Sequence, residues 1–119
     1  MGGRLSTHVL DTARGRPAAG VQIELWALDE TGARRLLRGV ETNADGRTDA
    51  PLLEGDDLVV GVYELVFDVG AYFVGAGPAP ADPPFLGLVP VRFAVADAAG
   101  HYPVPLLVSP WAYSTYRGS

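Results

Sequence analysis

Short runs in which apolar residues recur at every second position, cut at close intervals by glycine or proline, leave this chain few architectures other than packed β-sheets. Leu5, Thr7 and Val9 alternate with Ser6, His8 and Leu10, and Val21, Ile23, Leu25 and Ala27 alternate with Gln22, Glu24 and Trp26. The same period returns in Leu58–Asp68, in Val89, Val91, Phe93 and Val95, and from His101 to Ser109. Arg34–Thr42 is β-compatible but alternates poorly, which suits an edge strand. Between these runs lie turn signals at Gly15 and Pro17, at Gly32, at Asn43-Ala44-Asp45-Gly46 and at Ala98-Ala99-Gly100. Ala71-Tyr72-Phe73-Val74 is compatible with one helical turn, and the stretch from Gly75 to Pro84, with two glycines and four prolines, predicts a loop. About seven or eight short strands with one helical turn predict an all-β fold, a two-sheet β-sandwich.

A strand's side chains point alternately to its two faces. The apolar sets Leu5, Thr7, Val9 and Tyr102, Val104, Leu106, Val108 are therefore the core faces of the first strand and of the strand after Gly100. Ser6, His8 and Leu10, with His101, Pro103, Pro105 and Leu107, point the other way, to solvent or a partner subunit.

A chain of 119 residues with 48% hydrophobic and 19% charged residues predicts one folded domain, residues 1–119. All nine basic residues are arginine and the formal net charge is −5, which excludes a nucleic-acid surface built on clustered positive charge. With no cysteine there is no disulfide framework. No apolar run is long enough to cross a bilayer and no signal peptide precedes Leu5, so the expected location is cytoplasmic, with no membrane partner. Met1-Gly2 followed by Ser6 meets the loose myristoylation pattern, but the run from Leu5 already has the alternation of a strand.

His8-Val9-Leu10-Asp11, followed by Gly15-Arg16-Pro17-Ala18 and Val21-Gln22-Ile23, resembles the N-terminal signature of the transthyretin family. Tyr102-Pro103-Val104-Pro105-Leu106-Leu107-Val108-Ser109-Pro110-Trp111 resembles its C-terminal signature. The closing Tyr116-Arg117-Gly118-Ser119 is similar to the tetrapeptide that ends its enzymatic branch, the 5-hydroxyisourate hydrolases. The resemblance covers essentially the whole chain. It implies a transthyretin-like sandwich, a homotetramer assembled as a dimer of dimers, and hydrolytic ring opening of 5-hydroxyisourate, a purine-derived product of urate oxidation. It implies no metal and no organic cofactor.

Carried onto this sequence, the resemblance implies catalytic roles for His8, Arg47 and Ser119. His8 would be the general base or water-positioning group, because a neutral imidazole accepts a proton near pH 7. Arg47, following the Asn43–Gly46 turn, would hold the ring through paired N–H donors and stabilise the developing oxyanion. Tyr116, Arg117 and Ser119 would close the pocket, with the terminal carboxylate as an available acceptor. Leu10, His101, Pro103, Pro105, Leu107, Ser114 and Gly118 complete the substrate-binding set. Taken singly, a strand histidine and an arginine after a turn are ordinary solvated residues. Ser109, Asp11 and His8 lack any nucleophile-elbow pattern and make no triad; Trp26 and Trp111 read as packing groups.

One position departs from the pattern. Enzymatic members read Tyr-His-Val-Pro where this chain has Tyr102-Pro103-Val104-Pro105, and proline transfers no proton. His101 lies on the same face but is displaced by two residues, roughly 6.6 Å along a strand. Two functions follow from this: a hydrolase weakened at Pro103, or a non-catalytic transthyretin-like small-molecule binder.

Overall fold

The computed structural model describes residues 2–78 and 81–119. Met1, and Ala79 and Pro80 within the predicted Gly75–Pro84 loop, lie outside the described residues. Eleven hydrogen-bonded stretches form among the described residues: β1 Arg4–Ser6, β2 Val9–Asp11, β3 Arg16–Pro17, β4 Gln22–Leu28, β5 Arg34–Glu41, β6 Leu53–Glu54, β7 Gly61–Asp68, β8 Leu88–Val95, β9 His101–Pro103, β10 Leu106–Val108 and β11 Tyr113–Thr115. Helix α1, Val69–Gly75, follows β7 directly.

The long strands make one antiparallel sheet in the order β5-β4-β7-β8. Facing it is a layer in two pieces, β6-β1-β9 and β11-β10-β2-β3. Leu5, Val9, Tyr102, Val104 and Leu106 from the split layer and Ile23, Leu25, Tyr63, Leu65, Phe67 and Val89 from the long sheet share one buried cluster. This is the two-sheet sandwich expected, with the larger strand count arising from interruption rather than from extra elements. The predicted first strand is cut at Thr7-His8 into β1 and β2, and the strand after Gly100 is cut at Val104-Pro105 into β9 and β10.

The register survives both cuts. Ser6 lies opposite Pro103 and Val9 opposite Leu106, so the parallel alignment keeps one offset throughout. Across the gap Val104 N–H donates to Ser6 O and Leu106 N–H to His8 O, both at 2.9 Å. The Val104 carbonyl accepts from the Thr7 hydroxyl at 2.7 Å. A buried threonine thus satisfies a polar group that a regular ladder would have paired. Because residues 104 and 106 turn their N–H groups toward β1 and β2, the nitrogens of Pro103 and Pro105 both face the C-terminal tail.

Other departures from the predicted elements have local causes. In β5, Leu25 pairs with Arg38 while Trp26 pairs with Leu36, so Leu37 is an extra, bulged residue. That bulge breaks the alternation of a strand that does lie at a sheet edge. Helix α1 begins two residues earlier than expected because the Asp68 carboxylate caps it, accepting from Ala71 N–H at 3.1 Å, and because Val69 and Phe73, one turn apart, are both buried. Trp26 packs its ring beneath the Arg34 guanidinium at 4.1 Å, whereas Trp111 is 55% exposed and touches Phe85.

Candidate active site

The interruption of β1 and β2 places His8 in an isolated antiparallel bridge with Arg47. What brings Arg47 there is the turn before it. Gly46 has φ +74°, and a Cβ on it would sit 2.5 Å from the Val9 carbonyl oxygen, so only glycine allows the turn to lie this close to β2. Val9 N–H donates to Gly46 O at 2.8 Å. Asn43 clamps the same turn: its side-chain oxygen accepts from Asp45 N–H at 2.9 Å and Arg47 N–H at 3.2 Å, and its amide donates to Asp49 at 3.0 Å.

His8 and Arg47 open into a cavity of about 540 Å³. Its walls include His101, Pro103 and Pro105 from the neighbouring segment and Tyr116, Gly118 and Ser119 from the tail. The tail is held on the donor-less side of the prolines, where it brings its own donors. Gly118 N–H donates to Pro103 O at 2.8 Å and the Thr115 hydroxyl to Pro105 O at 2.7 Å. A Cβ at Gly118 would stand 2.9 Å from the Pro103 ring, so glycine is what allows this approach.

Partial burial and the adjacent Arg47 charge, in that order, hold His8 below its ordinary value of 6.5. Near pH 7 it is therefore neutral, with a lone pair free to accept a proton. The rejected triad is also absent in space: the buried Asp11 carboxylate is engaged by Arg14 at 3.1 Å and by the Tyr72 hydroxyl at 2.8 Å. Burial raises Asp11, but these hydrogen bonds outweigh it and hold it below the usual carboxylate value, while burial, together with the Asp11 contact, pushes Tyr72 up to about 12. The Ser109 hydroxyl oxygen accepts from the Trp111 and Ala112 N–H groups at 3.2 and 3.1 Å.

Four residues of the sequence-derived set lie elsewhere. Leu10, Leu107 and Ser114 form a cross-strand row beyond the cavity on the same outward face, Leu10 opposite Leu107 and Leu107 opposite Ser114. Arg117 does not close the cavity. Its guanidinium stacks on the Tyr102 ring at 4.4 Å and donates to His101 O at 2.8 Å, on the side facing Phe93. Tyr116 borders both the cavity and the hollow on the Phe93 side, whereas Arg117 does not line the cavity.

The cavity is also lined by residues outside the expected set: Arg4, Ser6 and Thr7 from the first strand and its break, and Thr48, Asp49, Ala50 and Pro51 from the loop after Arg47. Arg4 and Ser6 share their parity with His8, and that signal was present. Thr48 and Asp49 belong to a loop, where no periodicity exists to find them. Among the described residues no three His, Cys, Asp or Glu side chains are grouped closely enough to hold a metal ion. No helix among them is long and apolar enough to cross a membrane.

The chain is 62% identical over 117 residues to 5-hydroxyisourate hydrolase 2 of Rhizobium meliloti (strain 1021), covering 98% of this chain and 97% of that one. It is 56% identical to the 5-hydroxyisourate hydrolase of Ralstonia nicotianae, covering 98% and 99%. Among solved structures it matches a Klebsiella pneumoniae 5-hydroxyisourate hydrolase with TM-score 0.79 and 33% identity, covering 98% of this chain and 94% of that one. It also matches an (S)-allantoin synthase with TM-score 0.93 and 44% identity, covering 99% of this chain but 44% of that longer one. The model of the HIUase/Transthyretin family matches residues 5–118, and with full-length relatives at this level of identity the chain belongs to that family.

Proposed function

We propose that this protein hydrolyses 5-hydroxyisourate, opening the six-membered ring of this urate oxidation product, in the cytoplasm and as part of urate catabolism. The observation that carries the reading is the His8–Arg47 bridge at the mouth of one cavity, with His8 held neutral by burial and by the cation beside it. Neutral His8 takes a proton from water, and the hydroxide formed attacks the ring amide carbonyl. Arg47 N–H groups meet the oxyanion that develops on that carbonyl oxygen. Collapse of the tetrahedral adduct breaks the ring C–N bond, the departing nitrogen takes back the proton from the His8 imidazolium, and a carboxylic acid is left.

In this scheme His8 serves both proton steps, because Pro103 stands where the enzymatic members carry a second histidine. The scheme therefore assigns the protein a weakened hydrolysis. His101 lines the same cavity and is the remaining candidate for the second step. Tyr116, Gly118 and Ser119 wall the substrate in, with Pro105 forming its floor.

The proposed assembly is a dimer of dimers with residues 1–119 as one domain. It is supported by the outward row Leu10, Leu107 and Ser114, and by β8 and β11, each hydrogen-bonded to only one strand among the described residues. A stable monomer in light scattering at micromolar concentration would exclude the assembly. The function is tested by adding the protein to freshly generated 5-hydroxyisourate: faster decay than the spontaneous rate is expected, and a rate equal to the spontaneous one would reject hydrolysis.

A further inference from the structure

We propose that Arg4 holds the end of the substrate remote from the scissile bond, acting as a second guanidinium clamp that sets orientation and specificity; this rests on the hydrolase reading above. Arg4 opens β1 on the same face as Ser6 and His8, lies opposite His101 in the parallel register, and lines the same cavity. His8 is four positions further along the chain, roughly 13 Å at an extended rise. The two arginines therefore enter the cavity from opposite ends, Arg47 at the His8 end and Arg4 at the His101 end.

Their electrostatic setting is shared. Among the described residues Arg14, Arg34, Arg38 and Arg92 are taken by carboxylates and Arg117 by Tyr102 and a carbonyl. No hydrogen bond or ion pair among those residues engages the side chain of Arg4, Arg47, Arg16 or Arg35, and of these four Arg4 and Arg47 line the cavity. The cavity's acidic side chain, Asp49, accepts from Asn43 at 3.0 Å. In a protein of formal charge −5, one cavity thus holds two free guanidiniums and two histidines. Planar forks of donors at both ends of a cavity fit a bicyclic ureide, which carries acceptor oxygens at both ends. Since bond breaking occurs at the His8 end, contacts made by Arg4 are the same in ground and transition states. They lower KM rather than raise kcat.

The Arg4 side chain is exposed, and the strand uses only its backbone, with Arg4 N–H donating to Gly100 O at 3.1 Å, so substitution leaves the fold in place. Arg4→Gln and Arg4→Lys are compared with wild type for KM and kcat on 5-hydroxyisourate and, separately from turnover, for calorimetric binding of urate, a planar purine anion. Arg4→Gln is expected to raise KM and weaken urate binding about tenfold with kcat within roughly twofold, and Arg4→Lys to recover part of the loss. Wild-type KM and urate affinity in Arg4→Gln would overturn the clamp while leaving hydrolysis intact. A fall in kcat at constant KM would overturn it as well. Arg4-dependent urate binding by a protein that hydrolyses nothing would uphold the clamp and reject the hydrolase reading.

Discussion

In the long sheet β5-β4-β7-β8 the buried Glu64 lies between Arg34 at 3.3 Å and Arg92 at 3.1 Å, and its cross-strand neighbours are Trp26 and Arg92. In the split layer two arginines stand in a cavity without such partners, beside a histidine held neutral. Proline divides the layers in the same way. Pro90 sits in β8, an edge strand, where a missing N–H costs no ladder bond. Pro103 ends β9, the outer strand of β6-β1-β9, and Pro105 lies in the gap before β10, and there the C-terminal tail supplies donors to their carbonyls. The long sheet pairs its buried Glu64 with two of its own arginines and serves as scaffold. The split layer gives up regular pairing at Thr7-His8 and Val104-Pro105, and the cavity opens where it does so.

If that division is right, substitutions in the two layers should separate activity from stability. The largest effect is expected from His8→Gln, which removes the proton acceptor: kcat/KM on 5-hydroxyisourate should fall by roughly a hundredfold to ten-thousandfold. Its melting temperature should stay close to wild type. A fall of less than threefold would remove His8 from the chemistry.

Arg47→Ala should cost on the order of a hundredfold or more in kcat/KM, again with folding intact. It should also move a titration. His8 lies below 6.5, so in the wild type the neutral form persists as pH falls through 6.5, and activity fails only at lower pH. Removing the Arg47 charge removes the second of the two causes of that depression, so the His8 value, read by NMR, should rise toward 6.5. An unchanged titration would show burial alone to be responsible.

In the other layer Leu65→Ala, at a fully buried position, should cost about 2–5 kcal/mol of stability in denaturant unfolding. Its kcat/KM per folded molecule should not change. A loss of specific activity matching that of Arg47→Ala would mean that the scaffold and the site are not separable. The smallest expected effect is a gain. Pro103→His restores a titratable group on the cavity wall and should raise hydrolysis at least roughly tenfold. The new N–H faces the tail, away from β1, so the parallel register should be undisturbed; equal rates in the two proteins would make a second histidine dispensable.

The faces of the strands were legible without coordinates. Leu5, Thr7, Val9, Tyr102, Val104, Leu106 and Val108 are all buried, and Ser6, His8, His101, Pro103 and Leu107 are not, as period two requires; Pro105, expected on that outward face, is buried instead, next to the tail whose Thr115 hydroxyl donates to its carbonyl. Such alternation is a property of the extended backbone itself and needs no partner. The turns were legible for the same reason: Gly46 is demanded locally by a left-handed conformation. Of the residues expected at the site, His8, Arg47, His101, Pro103, Pro105, Tyr116, Gly118 and Ser119 line one cavity.

Only the tertiary structure decided which of the outward residues meet. Arg4 and Leu10 have the same parity as His8, yet Arg4 lines the cavity and Leu10 lies beyond it, because the Arg47 turn and the tail cover one end of that face and not the other. Arg117 is held away from the cavity by the Tyr102 ring and the His101 carbonyl. The bridge between His8 and Arg47 depends on Gly46 closing onto Val9, and the burial of Glu64 on arginines from two other strands. Each of these is a contact between segments distant in the chain. A local pattern assigns a side chain to a face, but hydrogen-bond register and the packing of remote segments determine what stands opposite it.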